Sequence, residues 1–507
     1  MAVLKTAFAN GEDFKLSADA DITGQSVSVP AGKSVVLDLN GYTLTADNSA
    51  TGKIIVLGKM TLKDSSTEKK GKIVASQDYT AASYNGSLIE IAGEDASMTM
   101  ESGNISAVRE TPDSNGQYGV GVTDGGDFTM TGGKIEAGWF AVAGNGNYKT
   151  QNSIINITDG ELISTADYAV YLPQSGTTTI SGGKVYGAAG GVCIQRGTLN
   201  VEGTALITSK GTGSTGNWGD GTGGLDCAAI NVSGAYGIAT VNIKGGTLIA
   251  EAKSLITEGT TYTPVINVTG GTFSDPSVLK YMATNATVDI KLLSNINIAK
   301  TELATGYILN AANATANLNL NGHDIINSSE TADATPFTQI FTVQNGTLNI
   351  SGNGNVKCDA SATAKDDGYR MVIEARGYGT VNIHGGSYYN TQKLNTQIDL
   401  IYARENGKIN IYGGTFESGK YGTPNNDTDG RYWVLNLKNT DKNTASIQVS
   451  GGTFINFNPA NPNMDDNESY LVTGYEVTRD GSVYTAAHKV GDGRKEYIVG
   501  QTSQENR

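Results

Sequence analysis

Short stretches in which apolar and polar residues alternate recur along the chain, and glycine breaks each of them. Val241-Asn242-Ile243-Lys244 runs into Gly245-Gly246, and Thr247-Leu248-Ile249 follows. Period two puts Val241 and Ile243 on one face and Asn242 on the other, the pattern of a half-buried strand. The phrase reads TMTGGKI at 129–135, TISGGKV at 179–185, NIKGGTL at 242–248 and NVTGGTF at 267–273. It returns as NIHGGSY at 382–388, NIYGGTF at 410–416 and QVSGGTF at 448–454. Degenerate copies stand at 99–105, 156–162 and 200–206. From Gly103 through Gly133, Gly160 and Gly183 to Gly203 the steps are 30, 27, 23 and 20 residues. Two longer steps, 43 from Gly203 to Gly246 and 38 from Gly414 to Gly452, hold either a loop insertion or a cryptic extra turn.

One such unit cannot bury its apolar face alone, so neighbouring units must stack and share a core. The steps are too short for four-stranded propeller blades and fit the turns of a parallel β-helix. The crossover rule for parallel strands makes the winding right-handed. The Gly-Gly step permits a positive φ or a close backbone approach at the corner.

A second level of repetition divides the chain. Leu37-Asp38-Leu39-Asn40-Gly41 matches Leu318-Asn319-Leu320-Asn321-Gly322, 281 positions later. The ends match as well: Gly-Gly-Thr-Phe273 and Tyr281-Met-Ala-Thr-Asn285 correspond to Gly-Gly-Thr-Phe454 and Tyr470-Leu-Val-Thr-Gly474. Asn285 and Gly474 both tolerate a left-handed backbone. A short helical turn is expected over 276–282, with Asp275 as N-cap and Pro276 first in the helix. Arg479-Asp-Gly481 between two alternating stretches reads as a hairpin turn, able to cover the last sheet edge. The expected architecture is all-β: two tandem parallel β-helices, 16–285 and 286–470. A segment over 1–15 would serve for attachment or capping, and 471–507 would form a C-terminal hairpin cap and tail.

Composition narrows the function. Of 507 residues 66 are glycine and 9 proline, without a collagen period. The net charge of −14 argues against nucleic acid as a partner. Cys193, Cys227 and Cys358 cannot make a disulfide framework and lack metal-ligand spacing. No apolar run is long enough to span a bilayer. The first residues do not read as a secretory signal, from which retention in the producing cell, or exit by another route, is expected.

"Leu-Asp-Leu-Asn-Gly-Tyr-Thr-Leu" from Leu37, "Leu-Lys-Asp-Ser-Ser-Thr-Glu-Lys-Lys-Gly-Lys-Ile" from Leu62, the Gly-Gly-Thr-Phe series and "Tyr-Leu-Val-Thr-Gly-Tyr-Glu-Val" from Tyr470 form one grammar. It resembles that of Gly-Gly-Thr-Phe-repeat β-helix proteins of gut bacteria and their bacteriophages, over nearly all of 16–485. These include fibre and decoration proteins of phages, crAss-like phages among them, and secreted bacterial surface proteins. The resemblance implies a structural virion protein (head fibre, tail fibre or decoration) that attaches to a host surface or glycan. Its partners would be other capsid or tail proteins, and such fibres are commonly trimers. It would be assembled in the host cytoplasm. A bacterial surface adhesin and a polysaccharide-degrading tailspike are the alternatives.

Parallel β-helices also host lyases and hydrolases, so carboxylate pairs were weighed. Asp366-Asp367 and Asp465-Asp466 read as solvated turns, and Asn439-Thr-Asp441 lacks the other segments of a polygalacturonase. His323, His384 and His488 have unrelated contexts, His384 filling the polar slot before Gly-Gly. Arg370, Arg376 and Arg404 would matter for lyase chemistry only with carboxylates alongside. No catalytic, metal or cofactor site is assigned, and no enzyme is expected. Sugar binding without turnover stays open: Tyr388, Tyr389, Tyr412, Tyr421, Tyr432 and Trp433 cluster in the second half, and Trp218 lies in a glycine-rich insertion. Such rings would stack on sugars; the competing reading makes them plugs of the coil. Variable recognition is expected at the insertions 109–127, 211–224 and 421–431.

Overall fold

The computed structural model describes residues 2–47, 52–76, 86–108, 117–144, 152–214, 224–258, 261–298, 306–327, 337–358, 369–390, 398–418, 432–462 and 468–489. The chain forms two compact units, Met1–Ser294 with Leu309–Asn321, and Asn295–Ile308 with Gly322–Arg507.

The first unit is a parallel β-helix. One ten-stranded sheet runs from Phe14–Lys15 to Val265–Val268, and a nine-stranded sheet from Val27–Val29 to Lys253–Thr257. A further parallel sheet carries the strand after each Gly-Gly corner, as where Leu206–Ser209 pairs with Thr247–Ala250. Like residues stack in register: Leu199 on Val241, Asn200 on Asn242, Val201 on Ile243. The inward members of all three sheets, such as Val192, Val241 and Leu248, are fully buried and form the core. The 43-residue step is a single turn with an insertion, because Gly197–Val201 pairs directly with Ala239–Ile243.

The paired glycines serve separate purposes. The second lies in the left-handed region, as at Gly183 (φ 73°) and Gly246 (φ 80°), where a Cβ is penalised. The first mostly lies against the preceding turn: a Cβ on Gly182 would stand 2.1 Å from the Thr158 carbonyl oxygen. Gly182→Ala is therefore expected to destabilise the first unit by about 1–3 kcal/mol. Gly213→Ala, where a Cβ meets nothing within 4 Å, should be nearly neutral; urea unfolding midpoints compare the two.

The shared Asn-Gly corner is built identically in both copies. Asn40 and Gly41 have φ of 48° and 85°, and Asn321 and Gly322 have 52° and 83°. The Asn40 Nδ2 donates to the Leu16 carbonyl at 3.0 Å and the Asn321 Nδ2 to that of Leu292 at 2.8 Å. Each side chain thus ties its corner to the turn before. Beside the first corner, Asp64 Oδ1 accepts from the backbone N–H of Gly41 (2.8 Å) and Ser66 (3.0 Å), and Oδ2 from that of Gly71 (2.6 Å).

At its start the first unit carries a helix that the alternation did not foreshadow. Ala2–Asn10 buries Leu4, Ala7 and Phe8 and packs on Val27–Val29. Gly11 (φ 78°) ends it, its N–H donating to the Phe8 carbonyl, a left-handed C-cap. At 276–281 the expected turn is a 3-10 helix, Pro276–Tyr281, with the Asp275 side chain accepting from the Ser277 N–H. Asn285 follows with φ 62°.

The second unit repeats the plan. An eight-stranded sheet begins at Ile296–Ile298 and includes Ser387–Asn390, Thr415–Ser418 and Thr453–Ile455. Phe337–Ser351 and Tyr369–Ile383 are long strands that bend through a corner, with a bulge between Val343 and Asn345. On either side of the bend Tyr369–Ile383 pairs with a different strand, Arg370–Ala375 with Ile398–Ala403 and Thr380–Ile383 with Lys408–Ile411. The 38-residue step is again one turn with an insertion, since Lys408–Ile411 pairs with Ser446–Val449. Inside, Tyr388, Phe416 and Phe454 form a continuous stack with centroids 5.0 Å apart at each step and planes within 8° and 14° of parallel. The hairpin Tyr475–Asp480 and Val483–His488 closes the sheet, Val483–Thr485 pairing antiparallel with Thr453–Ile455. Its two-residue loop is Gly481-Ser482, one position later than an Asp-Gly turn. Gly481 (φ 58°) supplies the positive φ at the first central position.

Candidate functional site

The outward positions of the strands that precede the Gly-Gly corners carry ordered polar rows. In the second unit Thr347, Thr380, Lys408 and Ser446 stack in register, and beside them Asn349, Asn382, Asn410 and Gln448. Asn382 Nδ2 donates to Asn349 Oδ1 and Asn410 Nδ2 to Asn382 Oδ1, both at 2.8 Å. The first unit has the same ladder, Asn242 to Asn200 and Asn267 to Asn242, each at 3.0 Å. An amide has two N–H groups and two acceptor lone pairs, so a ladder bond on each side uses only half of that capacity.

Aromatic rings border this face in the second unit. His384 and Tyr412 stack at 4.7 Å with planes 9° apart, and Tyr412 is 50 % exposed. Tyr378, 76 % exposed, lies just past the bend of Tyr369–Ile383, the strand that leads into His384. Six residue steps of about 3.3 Å lead from Tyr378 to His384, roughly 20 Å of extended chain.

The aromatic residues singled out in the sequence do not converge. Tyr388 is corrected outright: it is fully buried, its hydroxyl donating to the Gly385 carbonyl at 2.9 Å, and burial pushes that phenol far up. It occupies the Phe place of Gly-Gly-Thr-Phe and is a core plug. Tyr389, half-buried, is on the second-unit sheet in register with Lys357 and Glu417. Tyr412 is on the amide-ladder face, and Trp433 is half-buried on the strand Tyr432–Leu437, in register with Asp399. Tyr432 begins that strand, its side chain outside the described residues, as are Trp218 and Tyr421.

The strands before the bend, with Ile398–Ala403 and Tyr432–Leu437 paired to them, hold an ionic cluster that sequence spacing could not reveal. Glu374, 2 % exposed, accepts from Arg404 Nε at 2.6 Å and from Gln339 Nε2 at 3.3 Å, with Arg376 Nε 4.0 Å away. Arg404 also pairs with Glu405. The Glu405 N–H donates to Asp441 at 2.6 Å, which holds that carboxyl below its ordinary value with help from the Thr440 hydroxyl. Asn436 Nδ2 donates to the buried Asp399 at 2.9 Å. Burial, with Asp399 adding to it, pushes the Tyr402 phenol up to about 12. Arg376 and Arg404 thus do have a carboxylate alongside, and it is spent on ion pairs. Arg370 has its side chain outside the described residues.

Asn439-Thr-Asp441 is a 3-10 turn whose aspartate caps the preceding turn of the coil. Asp366-Asp367 and Asp465-Asp466 lie outside the described residues. His488 packs edge-on against Tyr475 within the hairpin, and His323 is half-buried beside the Asn-Gly corner. Among the described residues no three His, Cys, Asp or Glu side chains group as metal ligands. In the first unit Asp226 and Glu258 meet, a pair that the sequence reading missed. Glu258 Oε2 accepts from the Asp226 N–H and from Asn231 Nδ2, each at 2.7 Å. Burial, then the Asp226 carboxylate, raises the Glu258 carboxyl against those two donors. Tyr168, Cys193 and Cys227 pack alongside in an aromatic cluster with Trp139 and Phe140.

No protein-family model matches this chain, and no curated protein matches it.

Proposed function

We propose that the protein is a structural component of a bacteriophage particle, a head fibre, tail fibre or decoration subunit, that holds host-surface glycan without cleaving it. The observation that carries the binding part is the amide ladder of Asn349, Asn382 and Asn410, flanked along the strand direction by the exposed rings of Tyr378 and Tyr412. Fixed amides offer donors and acceptors to sugar hydroxyls, and rings offer apolar faces for sugar C–H groups. Capture without turnover is supported by the buried carboxylates of Asp64, Asp275, Glu374 and Asp399, which accept from the chain's own donors. The virion assignment rests on the repeat grammar, and mass spectrometry of purified particles tests it; absence from them removes it.

Binding is tested on an array of bacterial surface and mucin-type oligosaccharides. Tyr412→Ala and Tyr378→Ala are each expected to weaken the wild-type signal on the order of tenfold; unchanged binding by both variants would refute the face. The Asp226–Glu258 pair favours one second reading, a polysaccharide-degrading tailspike, because a carboxyl of raised pKa beside a carboxylate suits a proton donor. Oligosaccharide release that Glu258→Gln abolishes would establish it.

A further inference from the structure

The first unit carries a groove of about 720 Å³ where four successive turns enter their ladder strands. Its polar anchor is Arg196, and Tyr236, Tyr262, Ile154 and Ile238 form its apolar walls. We propose that this groove binds acidic glycan, with the Arg196 guanidinium taking the carboxylate of a uronic acid unit. The inference rests on the reading that the outer face of the coil meets sugar, and it adds a second location and a charge class.

Arg196 sits two residues before Thr198, the place that Tyr378 holds relative to Thr380 in the second unit. The same repeat position therefore faces outward with a ring in one copy and a cation in the other. Two basic side chains that flank the ladder are paired across turns, Lys184 with Glu161 at 2.9 Å and Lys244 with Glu202 at 3.8 Å. Among the described residues Arg196 has no such carboxylate, although the chain carries a net charge of −14. Its stem lies against Gly237, where a Cβ would come within 2.8 Å of the Arg196 Cδ. The loop that brings Gly237 there is tied down by the Gly197 N–H donating to the Ile238 carbonyl at 3.2 Å and the Tyr236 N–H to that of Gln195 at 3.2 Å. Arg196 is half-buried and its stem is positioned before any ligand arrives, which suits bidentate capture of a carboxylate.

The surroundings select a sugar over other anions. Ile238 is 59 % exposed, and Ile154 and Tyr262 are each 47 % exposed, an apolar platform that a phosphate or acetate would leave uncovered. Ile154, Thr177, Thr198 and Thr240 stack in register beside the amide row of Asn200, Asn242 and Asn267. A pyranose acid presents one carboxylate, several hydroxyls and an apolar ring face, and each has a counterpart here.

A fluorescent hyaluronan hexasaccharide is the probe, with its carboxyl-reduced form and a glutamate hexapeptide as comparisons. The wild-type protein should bind the acidic hexasaccharide roughly 10–100-fold tighter than the reduced form. Arg196→Gln should erase that difference, while Arg196→Lys should retain part of it. The Tyr378→Ala, Tyr412→Ala double variant, which disables the other face, should still prefer the acidic probe. Equal binding of the two hexasaccharides, an unaltered preference in Arg196→Gln, or peptide binding as tight as sugar binding would overturn the proposal. Loss of the preference in the double variant would also overturn it, by moving the site to the second unit.

Discussion

Phe416→Ala is expected to lower the stability of the second unit by about 3–5 kcal/mol, the cost of removing a fully buried aromatic ring. Phe416 is the middle of the Tyr388–Phe416–Phe454 stack, and all three side chains are fully buried. Removing the middle ring opens a void against both neighbours, and each turn depends on the turns it touches. A fall in melting temperature on the order of 10 °C should follow, with amide protection lost first in Ser387–Asn390, Thr415–Ser418 and Thr453–Ile455. Phe416→Leu keeps part of the volume and should cost less than half as much. A loss below about 1 kcal/mol for the alanine variant, within the range of surface substitutions, would mean that the stack does not hold these turns together.

Asp64→Ala should cost the first unit about 3–4 kcal/mol, because three backbone N–H groups lose a charged acceptor together. Those of Gly41, Ser66 and Gly71 all lie within 3.0 Å of its oxygens, and the residue is 1 % exposed. Burial works against ionisation of this carboxyl, but the Ser66, Gly71 and Gly41 donors outweigh it and hold the group below its ordinary value. A depressed folded pKa stabilises above the unfolded value, near 3.9, and that contribution fades as the pH falls through the lower folded value. Wild-type protein should therefore lose stability on acidification below about pH 4, and Asp64→Asn should show a shallower acid slope. Chemical denaturation at a series of pH values reads both; parallel slopes would remove Asp64 from the account.

Much of the scaffold was legible because its physics is local. Alternation about Val241, Asn242 and Ile243 fixes which side faces the core, and the shared Asn-Gly corner announces a conformation that few residues adopt. The inward place of Tyr388 was legible too: it follows Gly-Gly by the same interval as Phe416 and Phe454, whereas Tyr412 precedes Gly-Gly and points out. Counting tyrosines as one cluster hid that difference in parity. Contacts across turns were not legible. Glu374 reaches Arg404 and Asp226 meets Glu258 only because insertions of unequal length return each strand to the same register. The amide ladder lay between these cases, since the outward asparagines were plain and their bonding waited on the register. The helix Ala2–Asn10 stands outside the period-two alternation that marks the rest of the chain, although Leu4 and Phe8 are spaced for one helical face.

The central functional claim is that the outer face of the coil retains glycan and leaves it intact. Immobilised wild-type protein should be loaded with host-surface polysaccharide, washed, eluted, and the recovered polymer sized. Retention with an unchanged length distribution is the predicted result. Shortened chains, or a polymer that passes through without retention, would contradict it.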